Sequence, residues 1–140
     1  MLSGCASVTA PRIEQTITEI ALERDCSGCA TGTLVTLRRD GTATRHDTGK
    51  ARFRTEDRTF TGSVERADFE RLASLLISSG FFDLQDEYRD PELADGEWIT
   101  TSAIRDGSAR SVLDSNGAGP PALKAIEEAI EGVRASIAWK

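Results

Sequence analysis

At 140 residues, with 39% hydrophobic and 29% charged residues, the chain is one domain's worth of ordinary globular composition, too apolar for disorder. No apolar run approaches the roughly 18 residues of a membrane span. A formal net charge of −6 argues against phosphate-backbone binding as a main activity, so no nucleic-acid partner is expected.

The chain opens "MLSGCASVTAP". Leu2-Ser3-Gly4-Cys5 resembles the lipobox of bacterial lipoproteins, in which small residues give a signal peptidase access to extended backbone and the cysteine thiol accepts the lipid. Such a signal also needs a basic n-region and an apolar h-region of about 7–15 residues. Only Met1 precedes the motif here, which leaves three alternatives: a start set too late, a trimmed chain, or a chance match with a free cysteine. If the motif is real, Cys5 is the lipidation site and the membrane is a partner through that anchor. "ASVTAPR" then suits a tether, making residues 1–15 a lipobox remnant and flexible linker. Ala6, rather than Asp, follows the cysteine. By resemblance to Gram-negative sorting rules this implies retention on the periplasmic face of the outer membrane, with release into the periplasm or medium as the variant.

Residues 16–140 are expected to form a single α+β domain. Thr16 to Arg24 alternates, with Ile20 and Leu22 on one face and Glu19, Ala21 and Glu23 on the other, which predicts a half-buried strand. "DCSGCATG" is a turn, "TLVTLRR" a second strand, Asp40-Gly41 a hairpin turn and "TATRHDT" a third strand. "KARFRTEDRTFTG" reads as a fourth strand, bulged or folded about Glu56-Asp57. Phe69, Leu72, Ala73, Leu76 and Ile77 make the apolar stripe of a helix that ends at Gly80. Phe81, Phe82 and Leu84 return to the core, and Asp86 to Gly96 is an acidic loop. Trp98–Arg105 and Ala109–Leu113 form a hairpin about Asp106-Gly107. Pro120-Pro121 opens a second helix whose buried face carries Leu123, Ile126, Ile130, Val133 and Ile137.

"RDGTATRHDTG" (39–49) echoes "RDGSARSVLDSNG" (105–117), either as a duplicated ββα unit or as two hairpins chosen by the same turn chemistry. Either way the expected architecture is an antiparallel sheet with two helices packed on one face.

Chemistry is scarce. Cys26-Ser27-Gly28-Cys29 is the sharpest feature, but it sits between strands without the helix that lowers a redox thiol's pKa. A zinc site needs two more ligands, and the sequence has one histidine, His46, and no second Cys-x-x-Cys. With Cys5 lipidated an even pair remains, which an exported domain oxidises, so Cys26 and Cys29 are expected to form a structural disulfide. His46 reads as a solvated strand residue. The acidic loop lacks EF-hand order and reads as a solvated face. No catalytic residue, metal or cofactor is expected.

Taken in order, "IALERDCSG", "GTLVTLRRDGTATRHDTG", "FERLASLLISSGFFDLQDEY", "PPALKAIEEAIE" and a terminal "AW" resemble a family of uncharacterised bacterial domains, often secreted or lipid-anchored. The resemblance covers residues 17 to 139. Its members carry a Cys-Phe-Gly-x-Cys-Pro turn after the first strand; here two residues separate the cysteines and no Pro follows. It implies a fold and a location rather than an activity. The expected function is a non-catalytic, lipid-anchored envelope domain that binds or scaffolds an envelope protein. The rival is a periplasmic thiol-disulfide protein using Cys26 and Cys29.

Overall fold

A computed structural model describes residues 16–92 and 96–140. The strands are β1 (Ile17–Cys26), β2 (Thr31–Arg38), β3 (Thr42–Gly49), β4 (Arg58–Ser63), β5 (Glu87–Tyr88), β6 (Glu97–Arg105) and β7 (Ser108–Ser115). The helices are α1 (Arg66–Ser78) and α2 (Pro121–Ser136). All seven strands join one sheet, in the order β4-β3-β2-β1-β6-β7-β5.

This corrects the expected antiparallel sheet with its two-helix face and duplicated ββα unit. The sheet is mixed, because β5 runs parallel to β7, pairing Glu87 with Leu113 and Tyr88 with Asp114. β4 intervenes between β3 and α1, so the first half is not ββα, and β1 lies between β2 and β6. The echoed Asp-Gly turns differ as well. Asp106 (φ 50) and Gly107 (φ 82) are both left-handed between the paired Arg105 and Ser108, a two-residue type I′ turn. At Arg39-Asp40-Gly41 only Gly41 has positive φ, and the loop holds one residue more. Two turns of different geometry explain the echo as convergent turn chemistry.

β5 escapes sequence reading because two residues carry no periodicity. What places it is tertiary. Arg110 of β7 donates to the Leu84 carbonyl and pairs with Asp86 at 2.9 Å, while the Leu113 amide donates to the Asp86 carbonyl at 2.9 Å. The expected fourth strand is also shorter. Ala51–Phe53 is a 3-10 turn closed by Arg54 in the left-handed region, and pairing resumes at Arg58.

β1 buries Ile17 and Ile20, three residues apart, on one face. The register with β6 slips between Ile17 and Glu19, so a bulge at Thr18 restores the inward phase. Ile20, Leu22, Val35, Leu37, Ala103 and Val112 then form one inward face. Phe69, Leu72 and Leu76 of α1 and Leu123, Ile126 and Ile130 of α2 share its core. Gly80, at φ 73, ends α1 and lets the chain turn so that Phe81 is fully buried. Ile137 leaves α2 with extended dihedrals instead of continuing its stripe. The tail runs along the sheet edge, where Thr61 and Lys140 exchange both backbone hydrogen bonds at 3.0 Å. Gly62 permits that approach: a Cβ there would stand 2.5 Å from Ile137 Cγ2.

Thr101 breaks the inward apolar pattern. It is fully buried and its Oγ1 has no hydrogen-bond partner. Replacing Thr101→Val keeps the shape and removes the unsatisfied hydroxyl, so stability should rise by about 1 kcal/mol, read as a higher urea midpoint. A drop of that size would mean that the hydroxyl has a partner after all.

Candidate functional site

Two places concentrate polar chemistry. The first is the turn joining β1 to β2, where Cys26 and Cys29 form a disulfide. Cys26 ends a strand, its carbonyl accepts from the Cys29 amide at 3.2 Å, and no helix starts there. Asp25 organises the turn: its Oδ1 accepts from the Cys26 amide at 2.7 Å and from Lys50 Nζ at 2.6 Å. Lys50 Nζ also donates to the Cys26 carbonyl at 2.8 Å. Asp25 lies over Gly32, where a Cβ would come within 2.8 Å of its Oδ2. Thr55 Oγ1 donates to the Ala30 carbonyl at 2.6 Å, tying the loop after β3 to the same turn. The arrangement is a cross-linked, hydrogen-bonded staple. Sequence spacing pointed to the cysteines and missed Asp25 and Lys50, which meet only through the pairing of strands.

The second place was not anticipated. Asp114 of β7 is 2% exposed and Glu127 of α2 is 6% exposed. Asp114 Oδ1 accepts from the Gly119 amide at 2.8 Å, which fixes the loop that starts α2. Burial first, then the hydrogen bond to Asp114 and its negative charge, push Glu127 up to about 8. Glu127 therefore holds its proton at neutral pH and donates it to Asp114, while its Oε2 has no hydrogen-bond partner. The two carboxyls border a cleft of about 370 Å³ between α2 and the Glu97 end of the sheet, with Arg24, Glu97, Lys124 and Glu131 around them. Arg24 is already engaged, with Glu97 at 3.3 Å and Glu131 at 3.6 Å. Lys124 Nζ donates to the Gly117 carbonyl. A signal for this pair exists in the sequence. Glu127 stands four residues after Leu123 and three before Ile130, on the apolar stripe of α2, and Asp114 falls in phase with the inward Val112.

The remaining candidates separate. Cys5, with the whole expected tether of residues 1–15, lies outside the described residues. His46 is half-exposed, with Nδ1 3.1 Å from Thr59 Oγ1 and Nε2 3.8 Å from Asp57. In the acidic stretch Glu87 pairs with Arg89 and Asp86 with Arg110, and Asp95 lies outside the described residues. Among the described residues no group of three or more His, Cys, Asp or Glu side chains is placed to hold a metal ion.

No curated protein matches the chain. A family model does match residues 18–134, from the start of β1 almost to the end of α2, and so takes in both the staple and the carboxyl pair. By that match over well more than half its length, the chain belongs to the family described as a domain of unknown function, DUF6438.

Proposed function

We propose that this is a non-catalytic cell-envelope domain with a binding or scaffolding role, anchored by lipid at Cys5 to the periplasmic face of the outer membrane. The observation carrying this reading is the Cys26–Cys29 disulfide, closed across a strand-to-strand turn. Such a bridge persists in oxidising compartments and is rare where thiols are kept reduced. The lipobox-like Leu2-Ser3-Gly4-Cys5 supplies the anchor, and the small, polar residues after it supply the reach. Several acyl chains, at about 0.8 kcal/mol per buried CH₂, hold such a domain at a bilayer durably.

Palmitate labelling of the product expressed with its upstream coding sequence tests the anchor. Wild type should label and fractionate with membranes, and Cys5→Ser should do neither. Identical behaviour of the two forms would remove the lipoprotein reading.

One observation favours the redox alternative: the Asp25 carboxylate and Lys50 ammonium beside Cys26 are groups able to handle a proton during disulfide exchange. The two readings part on measurement. A structural bridge closing so short a loop contributes about 2 kcal/mol by chain entropy. Replacing both Cys26 and Cys29 by Ser should therefore lower stability by no more than about that amount, with no turnover to lose. A reduction potential near about −120 mV, typical of periplasmic oxidants, together with insulin-reductase or oxidase activity, would decide for the redox protein.

A further inference from the structure

We infer that Arg24 and Glu127 form a proton-operated switch between β1 and α2. With Glu127 protonated, its carboxyl donates to Asp114 while Arg24 bridges Glu97 and Glu131. With Glu127 ionised, the Arg24 guanidinium moves one helical turn along α2 and pairs with Glu127 instead.

Strand register and helix period bring the parts within reach of one another. Arg24, Ile99 and Asp114 are cross-strand neighbours in one row over β1, β6 and β7. Glu127 and Glu131 stand four residues apart on α2, so they share one face of the helix, about 6 Å apart along its axis. Arg24 already touches that face. Its Nε lies 3.6 Å from Glu131 Oε1, and its Nη1 lies 3.3 Å from Glu97 Oε2. The cleft that all these side chains line measures about 370 Å³, room enough for a guanidinium to shift.

Two orphaned atoms supply the reason for the move. Arg24 Nε is a buried donor without a hydrogen-bond partner, and Glu127 Oε2 is a buried acceptor without one. A protonated Glu127 has no charge with which to draw Arg24 from its two carboxylates, so both bonds stay unmade. Loss of the proton to solvent changes that balance. Two buried carboxylates in contact repel, which drives Glu127 from Asp114, and a charge-assisted bond from Arg24 then satisfies both orphans. The other charged groups around Glu127 do not compete for it. Lys124 is tied to the Gly117 carbonyl, Asp114 holds the Gly119 amide, and Glu97, Glu128 and Glu131 carry the same sign as the ionised group. Burial and then Asp114 push Glu127 up to about 8 against the pull of Lys124 and Arg24, which sets the swap in mildly alkaline solution. Glu97 is the cross-strand partner of Cys26, so the swap leaves its carboxylate without Arg24 at the disulfide end of the sheet.

NMR titration of the full chain from about pH 5 to about pH 10, read at side-chain carboxyl carbons and the Arg24 Nε, tests the switch. Glu127 should titrate near 8, and the Glu97, Glu131 and Arg24 Nε signals should inflect at the same pH. Arg24→Gln should raise the Glu127 midpoint by about one pH unit, a tenfold fall in its ionisation constant. Arg24→Lys keeps the charge but lacks the Nε–H, and should raise the midpoint by roughly half as much. Arg38→Gln, a control at an equally exposed arginine paired with Glu19, should change nothing. The wild-type titration decides without any variant: a Glu127 that titrates with ordinary carboxylates, or Glu97 and Glu131 signals without an inflection at its midpoint, would overturn the switch. A midpoint raised by Arg24→Gln and left alone by Arg24→Lys would reduce Arg24 to a neighbouring charge and overturn it equally.

Discussion

Raising the pH from about 4.5 to 8 should weaken the fold, and Glu127→Gln should remove that dependence. Glu127 begins from an ordinary value of 4.5 and is pushed up to about 8 in the folded state, first by burial and then by Asp114. Between those two values the folded chain holds a proton that the unfolded chain has released. The contribution of Glu127 to stability is therefore fully present below about 4.5 and declines through the window, by up to about 1.4 kcal/mol per pH unit. Summed to pH 8 the loss is a few kcal/mol at most, because solvent reaching the pair screens part of it. Above 8 both states are ionised and the slope from this group vanishes. Glutamine keeps an N–H donor for Asp114 and cannot ionise. Glu127→Gln should thus match wild type near pH 4.5 and be the more stable of the two at pH 8, by a few kcal/mol at most. Urea titrations at four or five pH values would read the effect, and parallel curves for the two proteins would show that Glu127 ionises as readily in the fold as out of it.

Truncating the helix stripes should be nearly as costly. Leu76 of α1 and Ile126 of α2 are both fully buried, and both sit in the core with Leu22, Leu37 and Phe81. Each change to Ala removes methyl and methylene groups and leaves a cavity that surrounding sheet residues fill only in part. The expected loss is about 2–5 kcal/mol at either site. The two should rank alike, because both are fully buried in the same hydrophobic cluster. Losses under about 1 kcal/mol at both would mean that the helices pack with other faces.

Much of the domain is legible locally. The stripe Phe69, Leu72, Leu76 and the stripe Leu123, Ile126, Ile130 name both helices, and the alternation in β1, β2, β6 and β7 names the strands and their inward faces. The Asp-Gly and Pro-Pro punctuation lies where turns and the start of α2 are found. These signals are legible because each depends on residues within one or two turns of chain. The Cys26–Cys29 bridge belongs to the same class, since four consecutive residues bring its ends together.

What the sequence by itself determined, then, is the two helices, the longer strands with their buried faces, and the disulfide after β1. Only the tertiary structure decided the strand order, the parallel β5, the Asp25–Lys50 contact that braces the staple and the Asp114–Glu127 pair. β5 consists of two residues with no periodicity, held by the Arg110 side chain and the Leu113 amide of β7, so its pairing energy comes from residues more than twenty positions away. Asp25 meets Lys50 because β2 and β3 carry the chain back past the end of β1. Asp114 meets Glu127 because α2 folds onto β7, and Glu127 is pushed up to about 8 by the burial and the neighbouring carboxyl which that packing creates. The physical reason is common to all three. Local patterns report which side of an element must leave water, whereas which groups then face one another depends on how distant elements are packed together.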